Sequence, residues 1–133
     1  MQTRVVTMTE QGSPSVMSVN TVDIELPNEG EVQIKQNVIG FNYMDIYQRS
    51  GLYPLDLPSG IGLEAAGIIK AIGANVEEFS IGDRVAYATA PQGAYAEYRN
   101  FPANRVVHLP NEVSDEQCAA TLFKGMTVEY LLN

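Results

Sequence analysis

Hydrophobic and polar positions alternate with a period near two over most of this chain, the signature of strands with one buried face. Residues 2–8 (QTRVVTM) and 16–26 (VMSVNTVDIEL) carry β-branched residues in partial alternation, and turn residues punctuate them at Gly12-Ser13-Pro14 and Pro27-Asn28-Glu29-Gly30. Residues 31–39 form the clearest strand. Val32, Ile34 and Val38 fall on one side, Gln33, Lys35 and Asn37 on the other, and Gly40 ends it. A short helix follows, with Asn42 as N-cap, Asp45 in the first turn, an apolar side of Met44, Ile46 and Tyr47, and Gly51 as the stop. Residues 52–63 (LYPLDLPSGIGL) are too rich in Pro and Gly for a regular element. The β pattern then returns. EAAGIIKAIG and RVAYAT read as strands joined by the turn-rich ANVEEFSIGD, GAYAEYRNF alternates again, and RVVHLP is a short strand. Strands at this spacing predict a barrel or a sandwich. Ser114 and Gln117 form a capping-box pattern that opens a second helix containing Ala119, Ala120, Leu122, Phe123, Val128, Leu131 and Leu132, which Gly125 is expected to weaken or split.

Composition narrows the function classes. The chain has 133 residues, one domain's worth, and 8 basic against 16 acidic residues, 8 − 16 = −8. That balance argues against a nucleic-acid partner and against docking on anionic lipid, both of which need clustered Lys or Arg. No apolar run is long enough to span a membrane, and MQTRVVTMTEQGSPS has no signal-peptide core, so a cytoplasmic protein is expected. One cysteine excludes an internal disulfide and a multi-thiolate metal site. Cys118 lies among alanines, where a small buried hydrophobe is the default, and His108 has no ligand-type neighbour.

Two stretches carry candidate chemistry. Gly60-Ile-Gly62-Leu-Glu-Ala65 fits the loose dinucleotide fingerprint. However, that fingerprint needs a strand before it and a helix after it to hold a pyrophosphate, and here a Pro-rich loop precedes and a β-like segment follows. The stretch from Gly40 to Gly67 instead places Asn42, Tyr47 and Tyr53 around a short helix and a rigid loop, the usual seat of binding groups on a β scaffold. Asn42 and Tyr47 are about 140° apart around a helix, so spacing does not show that they converge.

Across this stretch the sequence resembles the medium-chain dehydrogenase/reductase superfamily, and within it the zinc-free NADPH:quinone oxidoreductases, the zeta-crystallin-like group. The resemblance rests on GFNYMDIY from Gly40, RSGLYP from Arg49, PSGIGLEAAG from Pro58, Gly73, Val76, GDRV from Gly82, GAYAE from Gly93 and KGMTV from Lys124. Asn42 and Leu63 stand where the zinc-dependent members carry a Cys and a His, and no four-cysteine loop follows Val85. A catalytic zinc takes its ligands from Cys, His or carboxylate, so the resemblance implies a metal-free site.

The resemblance further implies a mainly β, GroES-like fold, a twisted and partly open barrel with short helices. Residues 1–118 would be the substrate-side catalytic domain. Residues 119–133 would begin a helical linker into a nucleotide-binding Rossmann domain that the sequence does not contain, and through which the parent enzyme would form a homodimer. Asn42 and Tyr53 match donors to the acceptor's oxygen. Asn42, Tyr47, Thr127 and Lys124 match positions around NADP(H). Asp45 and Glu64 read as structural groups that orient backbone near the cleft. The expected substrate is a small-molecule quinone or enone. The alternatives are a zinc-free enoyl-thioester or alkenal reductase, or a non-catalytic GroES-like binding module. The chain ends inside a helix, so it is expected to be an inactive fragment of the parent enzyme.

Overall fold

The computed structural model describes all residues, Met1–Asn133, and organises the strands into two antiparallel sheets. The elements are β1 (Gln2–Met8), β2 (Ser18–Asp23), β3 (Glu31–Gly40), α1 (Tyr43–Ser50), β4 (Ser59–Gly60), β5 (Glu64–Ile72), β6 (Arg84–Ala88), β7 (Tyr98–Pro102), β8 (Val107–His108) and α2 (Asp115–Leu132). One sheet has the order β2-β1-β4 and the other β7-β3-β5-β6-β8. The sheets are stitched along residues 95–97: Val6 N–H donates to the Tyr95 carbonyl at 2.8 Å, and Glu97 N–H to the Arg4 carbonyl at 3.0 Å. The result is a partly open barrel. Its core is Val32, Ile34, Ala65, Ile69, Val85, Tyr87 and Phe101. No helix is long and apolar enough to cross a membrane.

The alternation in β3 is less regular than the sequence pattern. Irregularities between Gln33 and Ile34, and between Gln36 and Val38, shift its register against β5. Gln33 is buried instead of facing solvent, whereas Gln36 is in phase with Val32 and Ile34 and is buried as the alternation requires. Each has partners for its amide: Gln33 Nε2 reaches the Glu25 carbonyl and Asn100 Oδ1, both at 3.1 Å, and Gln36 Nε2 reaches the Ala94 carbonyl at 2.8 Å. Residues 52–63 do contain a strand, since Ser59 and Gly60 pair with Met8 and Thr7. Helix α1 also turns the opposite way from its apolar pattern. Its buried residues are Asp45 and Gln48, while Met44, Ile46 and Tyr47 are only half-buried. Gly51 ends it in the left-handed conformation at φ 93°.

Helix α2 is continuous through Gly125. Its capping box is complete, with Gln117 N–H on Ser114 Oγ at 3.1 Å and Ser114 N–H on Gln117 Oε1 at 3.0 Å. Asp115 ties its start to the barrel through Arg84 at 2.7 Å and Asn37 at 2.8 Å. Only Cys118 and Ala119 are buried, against Ala66, Ala86 and Leu109. Burial, reinforced by the charges of Glu64 and Asp115, pushes the Cys118 thiol above its ordinary pKa. From Met126 onward the apolar side chains of α2 are exposed.

Two glycines test this packing in opposite directions. A Cβ on Gly67 would overlap the β3 backbone at the Lys35 carbonyl, whereas a Cβ on Gly125 meets nothing. Gly67→Ala is expected to cost on the order of 3 kcal/mol. Gly125→Ala is expected to add about 0.8 kcal/mol through helix propensity. Thermal unfolding followed by circular dichroism checks both, and equal melting temperatures for the two variants would contradict the packing described.

Candidate functional site

Asn42 occupies the N-cap position of α1 in extended conformation, but its side chain does not cap the helix. Only half of the reciprocal arrangement is made, by Asn42 N–H donating to Asp45 Oδ2 at 3.1 Å. The amide is turned inward. Nδ2 donates to Glu64 Oε2 at 2.8 Å, and Oδ1 accepts from Lys124 Nζ at 3.0 Å. Glu64, the first residue of β5, is fully enclosed, and its other oxygen accepts from the Phe123 N–H of α2 at 2.7 Å. Lys124 Nζ donates also to the Phe41 carbonyl at 3.2 Å. A continuous polar chain thus runs from the middle of α2, through β5, to the turn that opens α1, and back to α2. Gly40 is needed where it passes, because a Cβ there would overlap both the Glu64 carboxylate and the Ala119 carbonyl.

Asp45 forms a second layer. Its Oδ2 also accepts from the Tyr95 hydroxyl at 2.9 Å, while Oδ1 is buried without a partner. Burial raises the pKa of Asp45. The Asn42 N–H, the Tyr95 hydroxyl and Lys124 oppose that, and the Glu64 charge adds to it. Burial and the adjoining Asp45 likewise push the Tyr95 hydroxyl far above its ordinary value.

Beside this network lies a cleft of about 440 Å³ between the start of α1 and the middle of α2. Asn42, Tyr47, Lys124 and Thr127 all line it, with Phe41, Tyr43, Met44 and Phe123 as apolar walls. Four of the five sequence-predicted residues are therefore brought together. Tyr53 is not among the lining residues. It packs edge-on against Tyr47 with ring centroids 5.4 Å apart, and it is fixed by its own N–H on the Tyr47 carbonyl at 3.1 Å and by Gln11 Nε2 on its carbonyl at 2.8 Å. Thr127 Oγ1 donates to the Phe123 carbonyl at 3.0 Å, the ordinary bond of a helical threonine. A cleft of similar size, about 460 Å³, lies between β1 and the far half of β3, but none of these five residues lines it. The polar groups converge on the first cleft, and that makes it the candidate site.

Gly60–Ala65 stands between β4 and β5 with no helix after it, so it offers no helix N-terminus to a pyrophosphate. Leu63 is a buried aliphatic side chain without a lone pair, and no group of three or more His, Cys, Asp or Glu side chains is assembled anywhere. This donor set does not suit zinc. His108 sits exposed at the edge of β8, tilted against Phe79 with ring centroids 4.6 Å apart. Glu64, read from the sequence as a structural group near the cleft, is the centre of the network. Its signal was a charge at the head of an otherwise apolar strand, EAAGII.

The folded state holds the Asp45 proton more tightly than the unfolded chain does. Stability on this account therefore rises as pH falls through the raised pKa, and is lost as pH climbs back above it. In Asp45→Asn that dependence disappears. The melting temperature of the wild type minus that of Asp45→Asn is expected to increase between neutral pH and the ordinary aspartate range. A difference independent of pH would refute the raised pKa.

Comparison with known proteins agrees with this geometry. The model of the alcohol dehydrogenase GroES-like domain matches residues 28–111, well over half of the chain. The quinone oxidoreductase of Pseudomonas aeruginosa is 46% identical over 122 residues, which are 91% of this chain and 38% of that protein. The 2-haloacrylate reductase of a Burkholderia species is 33% identical over 130 residues, 93% of this chain and 39% of that protein. Among solved structures, the Escherichia coli quinone oxidoreductase complexed with NADPH superposes with a TM-score of 0.94 at 43% identity, covering 98% of this chain and 40% of that one. The chain spans about two fifths of the length of these relatives. By fold, by matched length and by the order of its elements, this chain belongs to the family of alcohol dehydrogenase GroES-like domains.

Proposed function

We propose that this chain is the substrate-side domain of an NADP(H)-dependent quinone reductase that works without a metal. The observation that carries the reading is the convergence of Asn42, Tyr47, Lys124 and Thr127 on one apolar-walled cleft. The likeness to an NADPH-complexed quinone oxidoreductase along nearly the whole chain supports it.

The bound nicotinamide would supply a hydride. As the acceptor is reduced, negative charge grows on its oxygen, and fixed donors aimed at that charge lower the barrier. Asn42 has a second amide hydrogen beyond the one given to Glu64, and Lys124 has a third N–H beyond those given to Asn42 and Phe41. Tyr53, packed edge-on against Tyr47, offers a further hydroxyl. Phe41, Tyr43 and Phe123 give the flat walls that exclude water and align two rings face to face. Lys124, Thr127, Tyr47 and Asn42 are the residues that would hold the nicotinamide end.

The pyrophosphate and adenosine need a Rossmann domain, which these residues do not form. Residues 1–118 then act as the substrate side and residues 119–133 lead toward that domain, with α2 itself running across the boundary. Residues 1–133 alone are accordingly inactive, and the complete enzyme is a cytoplasmic homodimer joined through its nucleotide-binding domain. The 33% identity to a 2-haloacrylate reductase supports a second reading, in which the acceptor is an activated alkene conjugated to a carboxylate.

The test is a chimera in which this chain replaces the matched part of the Escherichia coli relative, assayed with NADPH and p-benzoquinone or 2-chloroacrylate. Quinone turnover is expected. Asn42→Ala and Tyr53→Phe are each expected to lower kcat/KM about tenfold or more, the scale of a lost preorganised donor. If both variants stay within twofold of the parent chimera, the site assignment fails. Turnover of 2-chloroacrylate but not of quinone favours the second reading. Robust turnover by residues 1–133 alone would overturn the half-site reading.

A further inference from the structure

Glu64 is the most deeply enclosed ionisable side chain near the cleft, and both of its oxygens are occupied by donors from different elements: Asn42 Nδ2 at 2.8 Å and Phe123 N–H at 2.7 Å. The Asn42 amide lies between a carboxylate and an ammonium. Of its two orientations, one gives Nδ2 to Glu64 and Oδ1 to Lys124. The other sets oxygen against carboxylate and NH₂ against NH₃⁺, repulsive at both ends. Glu64 therefore decides which way the amide faces, and the amide oxygen in turn holds Lys124 Nζ at 3.0 Å, at the wall of the cleft.

We propose that Glu64 is a positioning residue of the reductase site. It touches neither cofactor nor acceptor, but it aims Lys124 through the Asn42 amide and clamps α2 at Phe123. This rests on the functional reading above. It assigns to a buried carboxylate a role in alignment beyond anchoring a helix.

The discriminating variant is Glu64→Gln, which keeps the shape but has one acceptor and one NH₂. It can accept from Phe123 or from Asn42, not from both. With Phe123 kept, its NH₂ opposes Asn42 Nδ2, so the amide reverses and repels Lys124. Adding Asn42→Asp exchanges donor and acceptor across the contact. The glutamine NH₂ then donates to the aspartate, whose other oxygen still accepts from Lys124, and the carboxylate charge of the pair is conserved.

In the chimera, Glu64→Gln is expected to lower kcat/KM for NADPH at least about tenfold when assayed well below its melting temperature, as small misplacements at a reacting centre do. Glu64→Gln with Asn42→Asp is expected to recover the KM for NADPH, through the restored Lys124 contact, but not kcat, because aspartate lacks the amide hydrogen offered to the acceptor. A helix anchor with no part in alignment would lower the melting temperature and leave turnover untouched. A single variant within twofold of the parent, or a double variant whose KM for NADPH is no lower than that of the single, overturns the proposal. A second readout does not depend on activity. In the ¹⁵N-labelled 133-residue chain, the Asn42 side-chain NH₂ signal, identified by its loss in Asn42→Ala, is expected to be protected from solvent exchange and to lose that protection in Glu64→Gln. Unchanged protection would overturn the proposal too. If the chimera reduces no quinone while the amide signal behaves as expected, the functional reading fails and the Glu64–Asn42–Lys124 alignment stands.

Discussion

An ionised carboxylate taken wholly out of water costs several kcal/mol unless hydrogen bonds replace its hydration. Glu64 meets that constraint with donors from two separate parts of the chain, the Asn42 side chain at the turn into α1 and the Phe123 N–H in the middle of α2. Neither donor is interchangeable with water at a residue that is fully enclosed. The position of the α1 turn relative to β5, and of α2 relative to both, follows from satisfying this one group. The same requirement explains why β3 ends in a glycine, since only a residue without a Cβ lets the carboxylate and the Ala119 carbonyl approach together.

Helix α2 shows how much depends on such polar ties. An amphipathic helix on a barrel usually seats itself by burying an apolar stripe. Here the stripe is short, Cys118 and Ala119 with the half-buried Leu122, and much of the attachment is hydrogen-bonded: the Ser114–Gln117 box, Asp115 on Arg84 and Asn37, Phe123 on Glu64, and Lys124 on Phe41 and Asn42. These bonds have directions, whereas apolar contact can slide. A helix held this way presents Lys124 and Thr127 at a defined height and rotation, which is what a recognition cleft needs.

Much of the scaffold was legible because burial of one face imposes a period. The strands of the larger sheet, the capping box at Ser114 and the Gly51 stop follow from local rules that tertiary contacts did not override. The failures share a different cause. Gln33 lies on the polar side of β3, yet it is buried and bonds the Glu25 carbonyl and the Asn100 side chain. Asn42 has the composition and place of an N-cap, but its Oδ1 accepts from Lys124, 82 residues on, while its Nδ2 is given to Glu64. The pair Ser59–Gly60 is too short to show any period, and it forms a strand only because β1 has a free edge there. Resemblance to a family located Asn42, Tyr47, Lys124 and Thr127 without saying how they are held. A lone charge at the head of an apolar strand marks Glu64 locally, but its partners, 22 and 59 residues away, are long-range facts.

A side chain can serve a ligand only with donors that the fold has not already used. Asn42 gives one amide hydrogen to Glu64 and keeps one, while Lys124 gives two N–H groups to Asn42 and Phe41 and keeps one. Had Glu64 been replaced in the fold by an apolar residue, the Asn42 amide would lose the group that orients it and Lys124 an acceptor of fixed direction, leaving more free donors but none in a fixed place. The buried carboxylate trades donor number for direction. Preorganised donors stabilise developing charge without reorganising at the moment of reaction, so direction is the more valuable property in a cleft of this kind. Asp45 extends the logic outward. It takes the Asn42 N–H and the Tyr95 hydroxyl, keeping the turn rigid from the other side, and its burial raises its own pKa as the cost of standing there.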